Sequence, residues 1–211
     1  SKGSRWYNET METYLKSTPS IDCDAIPIKE KVGSLTKGEK DEIEKAKALF
    51  YFVRDEIKYN AYLPALPNQF TLENHKASAT LNRGQGYCIQ KAVLLAALAR
   101  AAEIPARLRF ADIRNHLIPE EMAKMTRDHM FFYHGYCELY LDGGWIKATP
   151  TFDIKTCQKH QIIPVEFDGK SHAVFHRYNR DGKLHIEYIQ DHGYYEDLPW
   201  DEVSKSIQAS S

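Results

Sequence analysis

The sequence is poor in features that would place it quickly. It holds only four cysteines in 211 residues, Cys23, Cys88, Cys137 and Cys157, and no two of them form a C-x-x-C pair. That usage is too sparse for a disulfide scaffold. Charge of neither sign prevails: the formal net charge is -1, which gives no electrostatic footprint for nucleic acid or an anionic membrane surface. No apolar run approaches the roughly 20 residues of a membrane-spanning helix. The longest, around Ala92 to Ala102, is broken by Arg100 and preceded by Lys91. No internal repeat, low-complexity tract or signal peptide is visible. These absences lead to the expectation of a single domain over residues 1–211, with reduced thiols in the cytoplasm. They suggest no nucleic-acid or membrane partner and no cofactor or metal; oligomeric state is left open.

What is present is material for a core, since 43% of the residues are hydrophobic. In "TKGEKDEIEKAKALFYFVRDEIKY" the apolar residues Ile43, Ala46, Phe50, Val53 and Ile57 recur at helical spacing. Thr36 and Glu39 are spaced as a capping box for that helix. A second helix is expected from near Cys88 to near Ala102, apolar on nearly every side and therefore central. "ARLRFADI" alternates as a strand, and "HLIPEEMAKM" suggests a short helix after Pro119. "HMFFYHGYCELYLDGGWIKAT" has the pattern of a β-hairpin about Asp142-Gly143. A second hairpin is expected about Asp181-Gly182, and "DLPWDEVSKSI" as a closing helix. Helices precede strands, which predicts an α+β fold with an antiparallel sheet packed against helices.

The short stretch "GQGYC" places a thiol where that central helix begins. Unpaired amides and the positive dipole end at a helix N-terminus favour a thiolate, so Cys88 is expected to have a lowered pKa. Gly84 and Gly86 remove bulk in front of it, and the first-turn amides are placed to hold an oxyanion. The plain alternative is a small buried hydrophobe at the start of a core helix.

A thiol nucleophile needs a base, and strand parity selects His134 from nine histidines. His134, Tyr136, Glu138 and Tyr140 share one strand face, while Cys137, Leu139 and Leu141 share the core-like face. A two-residue turn at Asp142-Gly143 pairs Leu141 with Gly144 and Glu138 with Lys147, an opposite-charge pair. Continued outward, the register puts Thr149 and Asp153 diagonal to His134 on its own face. Asp153 is then the carboxylate expected beside the imidazole, provided that Pro150 leaves the ladder intact.

Taken together, "VRDEIKY", "GQGYCIQKAVLLAALARAAEIPARLRF" and "HGYCELYLDGGWIKATPTFD" resemble the transglutaminase-like superfamily, over roughly Glu39 to Asp153. The resemblance implies a papain-like thiol core with the nucleophile at the N-terminus of a central helix. It implies Cys88 as nucleophile and His134 as base, with Glu138 and Trp145 at the usual strand positions. The family places an aspartate four residues after the tryptophan, where this chain has Thr149. Asp153 is the expected substitute, and the Thr149 hydroxyl is the other candidate for orienting His134. The implied activity is attack on amide or peptide bonds of a peptide or protein substrate through an acyl-enzyme, with hydrolysis the default over transamidation.

Two other readings compete. The Thr149 departure raises a catalytically inactive binding module on the same fold. His134-x-x-Cys137 with Cys157-x-x-His160 suggests a zinc site, but residues three apart on a strand face opposite sides. Tyr59 and Tyr62 are core residues or cleft lining, Gln85 is a candidate oxyanion donor, and His129 a surface or pocket-edge residue. The segment from Ile113 to Asp128 is expected to overhang the cleft. Residues 154–211 are expected to add strands and the closing helix to the core at about 39–153.

Overall fold

In the computed structural model, which describes residues 11–209, the first amphipathic helix begins later than the Thr36/Glu39 spacing suggests. Helix α1 spans Ile26–Leu35, and Thr36 ends it with a hydroxyl bond back to Val32 O. Helix α2 spans Glu42–Glu56 and is capped by Asp41, whose carboxylate accepts the Glu44 amide at 2.9 Å. Glu39 instead accepts the amides of Lys40 and Asp41 in the turn before the helix. Asp41 wins because its own carboxylate reaches a free first-turn amide directly. The apolar stripe of α2 is as expected: Ala46, Phe50, Val53 and Ile57 are buried, joined by Leu49.

The chain then forms a two-residue strand β1 (Lys58–Tyr59), helix α3 (Ala77–Arg83) and a second short strand β2 (Gln85–Gly86). β1 and β2 pair in parallel. Helix α4 follows at once, Cys88–Ala101, and every residue from Ile89 to Arg100 is buried. Such a helix is covered on all sides, here by α1, α2, α3 and two strands of the main sheet. Its two buried cations are satisfied by carbonyls. Lys91 Nζ donates to Arg54 O at 2.9 Å, and Arg100 donates to the carbonyls of Lys16, Ala106 and Glu196. These bonds tie the central helix to α2 and to both ends of the described chain.

The main sheet contains β3 (Ala106–Asn115), β4 (Met130–Leu141), β5 (Gly144–Ala148) and β6 (Ile186–Tyr195), in the order β5-β4-β3-β6 and all antiparallel. Asp142 and Gly143 both have positive φ, 48° and 81°, the conformation that suits a two-residue hairpin turn. The register Leu141↔Gly144 and Glu138↔Lys147 is the one expected. Glu138, however, makes its ion pairs with Arg107 and Arg109. A short helix α5 (Glu120–Ala123) lies between β3 and β4, α6 (Ile154–His160) follows β5, and α7 (Trp200–Ala209) closes the described chain.

The second hairpin is only half formed. Tyr178 bridges Leu184, and the outgoing arm becomes β6, which pairs with β3. The incoming arm is drawn elsewhere: Ala173 bridges Ala148, its amide bonding Lys147 O at 2.8 Å, and Ala173 and Phe175 are buried. Burial of those two side chains outweighs a hairpin ladder that would face solvent.

Candidate active site

The start of α4 is fixed from several directions. The amide of Lys58 bonds Gly84 O and that of Asn60 bonds Gly86 O, each at 3.0 Å, so the strand after α2 lies along the residues before Cys88. Gly84 ends α3 at φ 72°, a conformation that favours glycine. A side chain at Gly86 would meet Gln90 Cβ at 3.0 Å. Gln90 Oε1 in turn accepts the Tyr87 amide, one of the orphan donors at the helix start. The Tyr87 hydroxyl reaches His75 Nε2 at 2.7 Å, and His75 Nδ1 lies 2.6 Å from Thr71 O. A carbonyl only accepts, so Nδ1 carries the proton and Nε2 accepts from Tyr87. Burial lowers the His75 pKa to about 4, which keeps this relay neutral.

His134 is aimed by an irregularity in β4. Between the pairs Ala111↔His134 and Ile113↔Phe131, two residues of β4 oppose one of β3. Tyr133 takes φ 54° there, a conformation rare for an aromatic residue. The bulge is held by Asp112 Oδ1, which accepts the Tyr133 amide at 3.1 Å and contacts His192 Nε2 at 2.8 Å. The Tyr133 ring stacks on His192. Beyond the bulge, Gly135 lets β4 press on the first turn of α4. An added Cβ there would lie 3.1 Å from Ile89 Cγ1 and 3.3 Å from Ile89 Cα. The residues after His134 and Cys88 are thereby in contact.

The His134 ring is buried and stacks on Phe175 (4.6 Å) and Tyr136 (5.6 Å). Among the described residues its Nε2 has no hydrogen-bond partner, and neither does the buried hydroxyl of Thr151, while the Thr149 hydroxyl bonds toward that of Tyr188. Burial lowers the His134 pKa to about 3. The thiol of Cys88 is pushed up to about 11 by burial, which outweighs the amides of Gly135, Ile89 and Cys88 bonding toward the sulfur. The sequence suggested a lowered pKa. The helix terminus acts in that direction, but enclosure by the sheet and the cleft walls is the larger effect. Cys88 keeps part of its surface exposed because it opens into the cleft. At rest the pair is therefore a neutral thiol and a neutral imidazole.

Cys88 and His134 line one cavity of about 1190 Å³, together with Tyr59, Tyr62, Thr151 and Asp153. Asp153 does not continue the ladder. β5 ends at Ala148, before Pro150, and Asp153 caps α6. Its Oδ1 accepts the Thr156 amide and its Oδ2 the Tyr59 amide, both at 2.8 Å. Burial pushes its pKa up, but those amides and nearby Lys91 hold it below the usual carboxylate range. No carboxylate forms an ion pair with His134 among the described residues. Gln85 does not line the cavity; its Oε1 accepts from Asn60 Nδ2. Tyr59 and Tyr62 are cleft lining, and His129 Nδ1 lies 3.2 Å from Asn115 O. Cys137 points into the core and its thiol donates to Ala92 O, away from His134. Among the described residues no three metal-ligating side chains converge.

Three contributors escaped sequence reasoning. Gly135 had a signal, since a glycine inside a strand marks close backbone approach. Phe175 and Asp112 had none, because each reaches the site through long-range packing.

Residues 29–150 match the sequence model of the transglutaminase-like superfamily, which is more than half of the chain. The chain belongs to the transglutaminase-like superfamily. Within that match lie Cys88, His134, Glu138, Trp145 and Thr149, while Asp153 falls outside it. Among solved structures, a protein of Cytophaga hutchinsonii named as a candidate cysteine protease superposes with TM-score 0.51 at 19% identity. The superposition covers 88% of this chain and 54% of the other, so this superfamily member spans about half the length of that relative. A candidate protease of Parabacteroides distasonis superposes at TM-score 0.42 and 17% identity, over 66% of this chain and 25% of the other. A structure named as a TGase gives 0.39 and 17%, over 61% and 31%. Only the first supports the transglutaminase-like fold. No curated protein matches the chain in sequence.

Proposed function

We propose that this superfamily member is a thiol enzyme acting on amide or peptide bonds of a peptide or protein substrate, with Cys88 as nucleophile and His134 as base. The observation that carries the reading is the meeting of two elements in one cavity. Cys88 at the start of α4 and His134 on β4 both line it, with the Gly135 amide at the sulfur.

The neutral resting pair defines the chemistry. As sulfur attacks the carbonyl carbon, the imidazole takes the thiol proton and a C–S bond forms. First-turn amides of α4 hold the oxyanion in this reading. Collapse breaks the C–N bond, and His134 returns the proton to the departing amine, leaving a thioester. Water then attacks with His134 as base, the C–S bond breaks, and sulfur recovers its proton as the acid leaves. Water makes hydrolysis the default; an amine in its place gives transamidation.

The third role falls to Thr149 in this reading. Its hydroxyl is buried, and Thr149 directly follows Ala148, the last paired residue of β5, the strand beside that of His134. Asp153 supports the site at one remove, by holding the Tyr59 amide against the cavity. The absence, among the described residues, of an ion-paired carboxylate at His134 favours a second reading, a binding module without turnover. The discriminating experiment is release of amine from a peptide library by the wild type and by Cys88→Ala. Release by the wild type that Cys88→Ala abolishes, with unchanged circular dichroism, supports the enzyme. Equal release by both proteins contradicts it.

A further inference from the structure

The cleft is two-toned. The segment that follows β3 runs over it as "LIPEEMAKMTRD", residues 117–128. Leu117, Ile118, Met122 and Met125 line the cavity that holds Cys88, whereas none of the five charged residues of the stretch does. Those charges are turned to solvent, where Lys124 pairs with Glu120 and Asp128 with Arg114. The segment is thus amphipathic with its apolar face toward the thiol, although its helix α5 is a single turn. Phe70 and Phe131 line the same space.

This face is not closed by the protein itself. Leu117 is 39% exposed and Met125 53%, and Tyr62 of the same cavity is 46% exposed. Scattered apolar residues on a surface need no explanation, but a contiguous set around a reactive thiol marks a surface meant to be covered. The charged lining residues Asp55, Glu56, Lys58, Asp153, Lys155 and Lys159 come instead from the α2 end, β1 and the cap and body of α6. Asp55 and Asp153 are already engaged by the backbone amides of Ile154 and Tyr59. The overhanging segment therefore offers a ligand apolar contact and no free charge.

We infer that the substrate carries a bulky apolar or aromatic group beside the carbonyl that Cys88 attacks, seated under residues 117–125. The inference rests on the thiol-enzyme reading and specifies its substrate class. A cavity of about 1190 Å³ has room for such a group and for the chain on either side of it. An aromatic ring there would cover the exposed leucine and methionine, and methionine adapts to irregular apolar shapes.

Acylation of the full chain by 4-nitrophenyl esters tests the inference, because the leaving group stays constant while the acyl group varies. Acetate, 3-phenylpropanoate and hemisuccinate esters are compared by nitrophenol release, and the adduct is mapped by mass spectrometry. The ratio between esters cancels the thiol's ionisation. The 3-phenylpropanoate ester is expected to acylate Cys88 at least about tenfold faster than acetate, the scale of one well-buried apolar group, and the hemisuccinate slower than acetate. The double variant Leu117→Asp/Met125→Asp, both sites solvent-exposed, is expected to lose most of that preference while keeping its circular dichroism. Acylation of Cys88 at equal rates by acetate and 3-phenylpropanoate overturns the inference and leaves the thiol reading standing. So does a preference that survives the double variant. Failure of every ester to acylate Cys88 removes both.

Discussion

At the residue scale, the site depends on contacts that bring two side chains from separate elements to one cavity. Gly135 is the most exposed to test. Gly135→Ala puts a methyl group against Ile89 backbone, so β4 must shift from α4. Overpacking of this kind costs about 1–3 kcal/mol. A lowered melting temperature and slower acylation of Cys88 are expected together; a variant with wild-type rate and stability contradicts the close approach. Thr149→Val keeps shape and removes the hydroxyl, and should slow acylation by about tenfold and alter its pH profile, while Thr149→Ser restores both. If Thr149→Val leaves the profile unmoved, the hydroxyl does not orient His134. The places of Cys88 at a helix start and of His134 on a strand are legible because both are local facts. The strand register does not extend to Asp153, because β5 ends at Ala148, before Pro150. The raised thiol pKa is hidden for a related reason: the sequence reveals the helix end but not the enclosure that raises it.

At the element scale, the helix and hairpin that carry the site follow from pattern, and the supports around them do not. The all-round apolar character of α4 and the Asp142-Gly143 turn fixed two elements and their register. The two-residue β1–β2 pair is too short to leave any periodicity, yet it positions the residues before Cys88. Helix α6 is not legible from a strand pattern continued past Pro150. Its cap gives a test of what Asp153 does. Asp153→Ala removes a helix cap, about 1 kcal/mol, and strands the half-buried Tyr59 amide, about 1 kcal/mol, so a fall of several degrees in melting temperature is expected. Asp153→Asn keeps a capping acceptor and should retain acylation within about tenfold of wild type, whereas a base such as His134 contributes about a hundredfold or more. A hundredfold loss in Asp153→Asn, with stability unchanged, would assign the carboxylate a catalytic part instead.

At the scale of the whole molecule, burial of neutral histidines couples the site to acid stability. His75 and His185 are lowered to about 4 and His134 to about 3, in each case chiefly by burial. The unfolded chain binds protons at these groups below about pH 6.5, while the native chain stays neutral until pH falls much further. Stability is therefore complete above that value and is lost as pH falls toward 4. With three groups the slope reaches at most roughly 4 kcal/mol per pH unit. Melting followed by circular dichroism should drop steadily between about pH 7 and pH 5; a flat or rising profile there contradicts the buried neutral state. In the proposed function, the same enclosure makes the site a neutral pair that becomes reactive when a substrate carbonyl arrives. The most direct test of that claim is a burst experiment with 4-nitrophenyl acetate, the adduct mapped by mass spectrometry. One acetyl group per chain, on Cys88 and on none of the other cysteines, is the expected result, absent in Cys88→Ala and slowed about a hundredfold in His134→Ala. An adduct elsewhere, or one on Cys88 that forms as fast without His134, contradicts the account.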